Sequence, residues 1–359
     1  MSRAPATVLT RRGMTVILWA LVASLACALL VEQRGLRWVQ GVVWPNDLYA
    51  FQQIEQGPLD VAVIGSSRAA FGVSPSSLDL CLSQQLGRPT HSVNLSRSFL
   101  TTYAADLLTE QLLVGPRAPQ VLVLGIEPEI FDEHNPKLPI NVATMAGLVD
   151  IPEALGTVRD LRGLFAVLRP MGRGPETLAL YASGRWDSKP WLRWMMLHHG
   201  GGMFCTGSEQ CRRHNKDVEA SLREWWDIVA TTLLPNLKAQ RFPAYEAGTG
   251  PVHHHTERLL ARAERQGVQV VLMELPRHPA FRQAMPSEVG PRYQAYLSTL
   301  LEAHPLTLHR VPTDDWTLHR AYYVDAEHLT AAGAHRVSKD LCRSIAPLLA
   351  AESSVVGGE

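Results

Sequence analysis

Short apolar runs alternate with amphipathic segments along most of the chain after residue 60. Strands are predicted at Val61–Ile64, 91–95, Val121–Ile126, 269–276 and 306–311, and the runs Val61–Ile64 and Val121–Ile126 are continuously apolar, as expected of strands buried on both faces. The segments between them carry apolar residues at helical spacing, which predicts helices at Pro75–Leu86, 101–114, 256–266, 293–303 and 331–349. This alternation is typical of an α/β fold with a doubly wound, parallel sheet.

The alternation stops between about residues 132 and 250. This region has glycine and proline breaks and no convincing strand, and it holds most of the tryptophans: Trp186, Trp191, Trp194, Trp225 and Trp226. A structureless loop of this length is improbable in a compact domain. We therefore predict one α/β domain at 60–350 with a largely helical insertion at about 132–250 lying over the site, followed by a flexible tail at 351–359.

Residues 14–31 form an uncharged apolar run that is long enough to cross a bilayer as a helix. Arg3, Arg11 and Arg12 precede it, which predicts that the amino terminus is cytoplasmic. We therefore expect a bacterial inner-membrane protein with a single pass and a periplasmic carboxyl-terminal domain. Its parts would be a cytoplasmic tail at 1–13, a transmembrane anchor at 14–31 and a connector at 32–59.

A cleaved signal peptide is the alternative for this segment. Ala26-Cys27-Ala28 places small residues around a possible cleavage site, and Thr10-Arg11-Arg12 resembles a twin-arginine signal. The apolar run exceeds the roughly 7–15 residues of a signal-peptide core, which favours the retained anchor.

Composition and charge narrow the class of partner. The 359-residue chain is 46% hydrophobic, and its 34 basic residues balance 34 acidic ones. Because there is no net positive charge to attract nucleic acid, we expect a globular protein without a nucleic-acid partner.

The cysteines fit an exported protein. Cys205 and Cys211 enclose a small polar loop that a disulfide could close in an oxidising compartment, and the sequence leaves that bridge open. Cys81 and Cys342 lie in apolar, helix-like segments, where we expect buried free thiols.

Two serines follow the first predicted strand. Gly65 lets the backbone turn sharply after Val61–Ile64, and Ser66 and Ser67 come where the next element begins. A serine at this point is ordinarily only a helix N-cap. At the carboxyl edge of a parallel sheet, however, the turn exposes the hydroxyl, and the free N–H groups of a following helix offer partial positive charge to an oxyanion.

An aspartate and a histidine near the other end of the chain are the partners that a nucleophilic serine needs. Asp325 and His328 are three residues apart, so the carboxylate can fix the tautomer of the imidazole within one turn. Together with a serine they would supply a nucleophile, a base and an orienting group. Ser66 remains an alternative to Ser67 as the nucleophile.

The glycine-hydroxyl-serine turn at 65–67 and the Asp-x-x-His stretch at 325–328 resemble the SGNH (GDSL-like) hydrolase superfamily. Many members have aspartate where this chain has Ser66. The form Gly65-Ser66-Ser67 resembles the membrane-anchored acyl-transfer branch of the superfamily, which includes the D-alanyl transfer protein of teichoic-acid alanylation and alginate-acetylation-type proteins. The resemblance implies a flavodoxin-like three-layer α/β/α fold, with Ser67 as nucleophile, Asp325 as orienting residue and His328 as base. No cofactor is expected.

Two further blocks of the superfamily match less well. After the second strand, where a glycine is usual, the backbone N–H of Ser96 would join that of Ser67 in holding the oxyanion. After the third strand, members of the superfamily often have Gly-x-Asn-Asp, whereas this chain has Gly-Ile-Glu-Pro at 125–128. An ionised Glu127 cannot donate a hydrogen bond to an oxyanion. Arg68, Arg97 and Glu127 are candidate substrate-binding residues, although the arginines could equally be salt-bridged.

Two histidine runs, at 198–199 and 253–255, invite a metal interpretation. Adjacent histidines do not face one site on a helix, and no Cys/His spacing accompanies them. We therefore expect no metal site.

The resemblance implies O-acyl transfer, most simply of acetyl, to a cell-envelope or secreted polysaccharide through an acyl-serine. Since acetyl-CoA is cytoplasmic, a membrane-bound O-acyltransferase would be the partner that delivers the acyl group. A carbohydrate or lipid esterase of the same fold is one alternative. A non-catalytic glycan-binding or scaffold protein of a polysaccharide synthesis complex is the other, and Ser96 and Glu127 support it.

Overall fold

The computed structural model describes residues 58–97, 100–113, 118–135, 201–310 and 315–356, together with Trp19, Met195 and His199. The predicted tail, anchor and connector at 1–57, apart from Trp19, lie outside these residues, as does most of the predicted insertion between 136 and 200. Among the described residues, no helix combines the length and apolar composition needed to cross a membrane.

Five parallel strands form the central sheet of the described part. In chain order they are β1 (Val61–Ile64), β2 (Ser92–Asn94), β3 (Val121–Ile126), β4 (Gln269–Glu274) and β5 (Leu308–Arg310). In space the order is β2-β1-β3-β4-β5, which is common in doubly wound sheets. β1 and β3 are buried throughout and have the predicted bounds, so the prediction of a parallel α/β sheet is confirmed.

Helices cover both faces of the sheet and give three layers. They are α1 (Ser67–Gly72), α2 (Pro75–Leu86), α3 (Thr102–Leu112), α4 (Glu209–Ile228), α5 (Leu237–Arg241), α6 (Gly250–Arg265), α7 (Pro279–Ala284), α8 (Val289–Ala303) and α9 (Ala331–Val356). Helices α3, α6 and α8 pack on the face that carries Ala62 and Leu122. Helices α2 and α9 pack on the opposite face, against Val61 and Val123.

Two helices differ from their predicted bounds. α6 begins at Gly250 rather than at residue 256. The added first turns are polar in sequence, but His255 is buried against Asp106, so this part of the helix also packs on the interior. α9 continues to Val356, seven residues beyond its predicted end at residue 349. No glycine interrupts the chain there before residue 357.

The described part of the predicted insertion is mainly helical. A π-helical turn (Val229–Leu233) and a 3-10 turn (Leu234–Asn236) connect α4 to α5. Phe204, which precedes α4, packs against Phe71 of α1 with 5.9 Å between ring centres. This region therefore lies against the helix that follows β1.

A buried aspartate fastens α3 to α6. Asp106 accepts hydrogen bonds from His255 at 2.9 Å, from Arg258 at 2.5 Å and from Arg262 at 2.6 Å. The carboxylate is fully buried, whereas both arginines keep some exposure. These four residues are called the helix cluster below.

Two disulfide bonds join cysteines of the described region. Cys205 and Cys211 are bonded and close the small polar loop. Cys81 of α2 is bonded to Cys342 of α9, which corrects the expectation of free thiols at these positions. The two helices are neighbours on one face of the sheet, but 261 residues separate the cysteines in the chain, so local context could not reveal the pair.

Candidate active site

The turn between β1 and α1 requires glycine for close packing. A Cβ atom on Gly65 would lie 2.6 Å from the Cβ of Ala69 in α1, and one on Gly125 of β3 would lie 2.8 Å from the same atom. The two glycines therefore let α1 approach the carboxyl ends of β1 and β3. Strand order reverses between these two strands, which is where doubly wound sheets bind ligands.

Ser66 and Ser67 have different roles in this turn. Ser66 is the N-cap of α1, and its Oγ accepts a hydrogen bond from the N–H of Arg68 at 3.2 Å. Ser67 is the first residue of the helix and is partly exposed. Its backbone N–H meets no acceptor among the described residues, so it stays available at a helix N-terminus.

Ser67, His328 and Asp325 form a continuous hydrogen-bonded chain. The distance from Ser67 Oγ to His328 Nε2 is 3.0 Å, and the distance from His328 Nδ1 to Asp325 Oδ2 is 2.8 Å. The histidine thus contacts Ser67 rather than Ser66. Both distances lie within the reach that a nucleophile, a base and an orienting group require.

Asp325 is buried and well supplied with donors. Its Oδ1 accepts the backbone N–H groups of Glu327 and His328, each at 2.7 Å. Burial would raise the pKa of Asp325, but the hydrogen bond from His328 and the two N–H groups lower it below its ordinary value. The ionised carboxylate keeps a proton on His328 Nδ1 and leaves Nε2 free to accept one from Ser67.

Six charged side chains meet beside Ser67. They are called the site cluster and are Arg68, Arg241, Arg277, Glu127, Glu129 and Glu327. Arg68 is at its centre: its side chain is 4% exposed and donates to Glu127 at 2.5 Å, to Glu129 at 3.0 Å and to Glu327 at 2.9 Å. Arg277 donates to Glu129 at 3.2 Å, and Arg241 donates to Glu327 at 3.1 Å.

The charges of the site cluster compensate one another. Burial would lower the pKa of Arg68, but Glu127, Glu129 and Glu327 outweigh this effect and raise it. Burial would likewise raise the pKa of Glu129, and Arg68 and Arg277 instead lower it. Arg68 and Glu129 therefore keep their charges although they are buried, because each lies against side chains of opposite sign.

Two of the three predicted substrate-binding residues lie beside Ser67, and they are bound to each other. Arg68 and Glu127 line the small cavity beside Ser67 and form an ion pair. The contacts of Arg68 are internal, which agrees with the salt-bridged alternative for this residue. Arg97 is buried, and its backbone N–H donates to the carbonyl of Gly65 at 2.9 Å, which prolongs the pairing of β2 with β1.

The backbone N–H of Ser96 is engaged elsewhere, which corrects its expected role as an oxyanion donor. It donates to Asn94 Oδ1 at 3.0 Å. Asn94 Nδ2 in turn donates to the carbonyls of Ala69 and Val73 at 3.0 and 2.8 Å. The asparagine therefore holds the end of β2 against α1 and occupies the donor that the sequence assigned to catalysis.

The histidine runs have protein partners in the described region. His253 contacts the hydroxyl of Tyr296 at 3.1 Å, and His255 belongs to the helix cluster. His199 lies near Cys205 and Cys211, but these sulfur atoms form a disulfide and do not offer thiolate ligands. His198 lies outside the described residues.

Sequence reasoning missed four members of the site cluster. Glu327 lies inside the Asp-x-x-His stretch, so its position between Asp325 and His328 was visible in the sequence, but its buried partners were not. Glu129, Arg241 and Arg277 come from three separate segments and carry no motif. Only the fold brings them to the same edge of the sheet.

Comparison with known proteins adds no relative to this picture. The chain matches no protein-family model and has no significant match among curated proteins.

Proposed function

We propose that this protein is a serine-dependent acyl-transfer enzyme in which Ser67 carries the acyl group. The observation that supports the proposal most directly is the hydrogen-bonded chain from Ser67 through His328 to Asp325. A partly exposed serine at a helix N-terminus, paired with a histidine whose tautomer is fixed by a buried carboxylate, has the geometry of an activated nucleophile.

Acylation begins when His328 Nε2 accepts the proton of Ser67 Oγ as this oxygen attacks the acyl carbonyl carbon. The backbone N–H of Ser67 stabilises the oxyanion that forms. The bond to the leaving oxygen then breaks, and the imidazolium of His328 gives that oxygen its proton. An ester on Ser67 and neutral His328 remain.

The second half of the cycle repeats these steps with an acceptor. An acceptor hydroxyl gives its proton to His328 Nε2 and attacks the acyl carbon. Ser67 Oγ leaves and takes the proton back from His328. A sugar hydroxyl completes a transfer, whereas water completes a hydrolysis.

The proposed setting is the extracytoplasmic side of a bacterial inner membrane, with a cell-envelope or secreted polysaccharide as acceptor. The disulfides Cys81–Cys342 and Cys205–Cys211 support an oxidising compartment. The resemblance to the SGNH acyl-transfer branch supports the polysaccharide and a membrane-bound O-acyltransferase as the source of the acyl group.

One observation favours a second candidate function. Because the N–H of Ser96 is engaged by Asn94, and Glu127 is a carboxylate bound to Arg68, the described residues offer fewer oxyanion donors than a hydrolase of this kind ordinarily has. A non-catalytic glycan-binding protein with the same fold would need no such donors.

Labelling with a fluorophosphonate probe tests the proposal, since such probes react with activated serines. The full-length chain should label, and Ser67→Ala and His328→Ala should each reduce the labelling rate by at least about 10⁴-fold, because a triad acts as a unit. Ser66→Ala is the matched control: it removes a helix cap but no triad member, so labelling should persist. Absence of labelling in the folded, unmutated chain would favour the binding protein.

A further inference from the structure

Glu327 joins the loop of the proposed triad to the helix that begins with the nucleophile. It lies between Asp325 and His328 in the chain, and its Oε1 accepts a hydrogen bond from Arg68, the residue after Ser67, at 2.9 Å. We propose that Glu327 is a positioning residue for the Ser67–His328 contact and that Arg241 acts through it. This inference rests on the proposed acyl-transfer function.

The contacts of the loop show what Glu327 adds. Two backbone hydrogen bonds close the loop on itself: the N–H of Val324 donates to the carbonyl of His328, and the N–H of Thr330 donates to the carbonyl of Tyr322. Asp325 binds only groups within the same loop through its Oδ1. Glu327, by contrast, reaches a different element, so it fixes the loop relative to α1 rather than fixing its internal shape.

Arg241 completes this connection from the described end of the insertion. One guanidinium nitrogen of Arg241 lies 3.1 Å from each carboxylate oxygen of Glu327. The Glu327 side chain is 9% exposed and that of Arg241 17%, so water competes little with these bonds. The carboxylate is thus held from two sides, by α1 and by α5.

A second contact from the insertion region holds the other end of the loop. Glu219 of α4 accepts the backbone N–H of Ala331, the first residue of α9, at 2.8 Å. Arg241 and Glu219 therefore secure the loop on both sides of His328. Because a displacement of about 1 Å in a catalytic group can cost about 10²-fold in rate, these contacts matter for turnover as well as for folding.

Substitutions at both ends of the ion pair test the inference in the full-length chain. We expect Glu327→Gln to reduce the fluorophosphonate labelling rate and the kcat for p-nitrophenyl acetate about 10- to 100-fold while KM stays within about twofold. Arg241→Met should give a smaller loss. The double variant should be no slower than Glu327→Gln alone, because Arg241 acts through the same carboxylate.

The helix cluster provides the matched control. Asp106→Asn also removes a buried carboxylate charge from arginine partners, but far along the chain from the triad loop, so it should lower thermal stability without changing the labelling rate. A purely structural role for Glu327 would make its variant behave like Asp106→Asn, and that result would overturn the inference. If the rate losses of the two single variants add in the double variant, Arg241 does not act through Glu327, and that part of the inference is overturned.

Hydrogen exchange separates this inference from the proposed function. Backbone amides at 325–330 should exchange faster in Glu327→Gln than in Asp106→Asn, because the loop loses the ion pair of Glu327 with Arg68 of α1. If the unmutated chain does not label, the proposed chemistry fails, and the exchange rates still report on positioning. Equal exchange at 325–330 in both variants contradicts positioning, whatever the labelling result.

Discussion

The site cluster and the helix cluster are built from the same groups and connect different kinds of structure. Both bury carboxylates that accept hydrogen bonds from arginines. The helix cluster joins two neighbouring helices, α3 and α6, along one face of the sheet. The site cluster joins α1, the segment after β3, the segment after β4, α5 and the loop before α9.

The difference predicts which buried ion network affects the rate of the proposed reaction and which affects stability alone. Breaking either network leaves buried charges without partners and costs folding free energy. Only the site cluster includes a residue of the triad loop and the residue next to the nucleophile. We therefore expect a positional role for the ion network at the carboxyl edge of the sheet and none for the network between α3 and α6.

The largest effect on the labelling rate should come from substitution of Asp325, whose carboxylate is hydrogen-bonded to His328. Asp325→Asn would present an amide that can donate to Nδ1 and stabilise the wrong imidazole tautomer, so we expect the labelling rate of Ser67 to fall about 10⁴-fold. The circular dichroism spectrum should stay unchanged, because asparagine keeps the shape of the side chain. A loss below about tenfold would show that His328 does not depend on Asp325.

The helix cluster should show an intermediate effect on stability. Asp106→Asn breaks the contacts with Arg258 and Arg262 and should lower the free energy of unfolding by about 3 kcal/mol, as measured by urea denaturation. We take the lower end of the usual range because the Arg258 side chain is 28% exposed. A matching loss in labelling rate of the folded variant would abolish the contrast between the two clusters.

The sign of the pH dependence at Asp106 follows from its pKa. Burial would raise this pKa, but the hydrogen bonds from His255 and Arg258 lower it below the unfolded value of about 4. The stabilisation is therefore present above about pH 4 and is lost as the pH falls through the folded pKa. The difference in unfolding free energy between Asp106→Asn and the unmutated chain should shrink in this acidic range.

The smallest effect on stability should come from Asp79, whose carboxylate accepts hydrogen bonds from hydroxyl and N–H groups among the described residues. Burial raises its pKa to about 7, although Ser92 and Thr90 donate to it. The protonated form stabilises the fold below about pH 4, and that stabilisation is lost as the pH rises through 7. Because Asp79 is only half-buried, we expect a decline of about 1 kcal/mol in unfolding free energy between pH 5 and 8.

Asp79→Asn checks this by removing the titration. Urea denaturation at pH 5 and pH 8 should then give more similar unfolding free energies than in the unmutated chain. A decline that persists unchanged in the variant would assign the pH dependence to another group.

Two central strands of the sheet, β1 and β3, were predictable because they are apolar on both faces. Val61–Ile64 and Val121–Ile126 were predicted with their observed bounds, since continuous apolar runs end where the strands end. Ser67, Asp325 and His328 were predicted as partners because the turn after β1 and the Asp-x-x-His stretch resemble a known superfamily, and Ser66 stayed open as the alternative nucleophile. α6 was predicted to begin too late because His255, a polar residue, faces the interior.

Other contacts had no local sequence pattern. Ser96 was assigned a free N–H, but a side chain two residues earlier occupies it. Cys81 and Cys342 were expected to be free because each lies in an ordinary apolar helix. Arg68 was a candidate for binding an anion because nothing near it in the chain shows the three glutamates that surround it.

The sequence by itself determined which segments become buried strands and helices, and which residues can act as nucleophile, base and orienting group. Apolar periodicity and motif spacing are local properties, so they survive without knowledge of the fold. The tertiary structure decided which donors remain free, which cysteines meet and which charges compensate one another. Those outcomes depend on distances between segments up to 261 residues apart, which only the packing of the sheet and its helices sets.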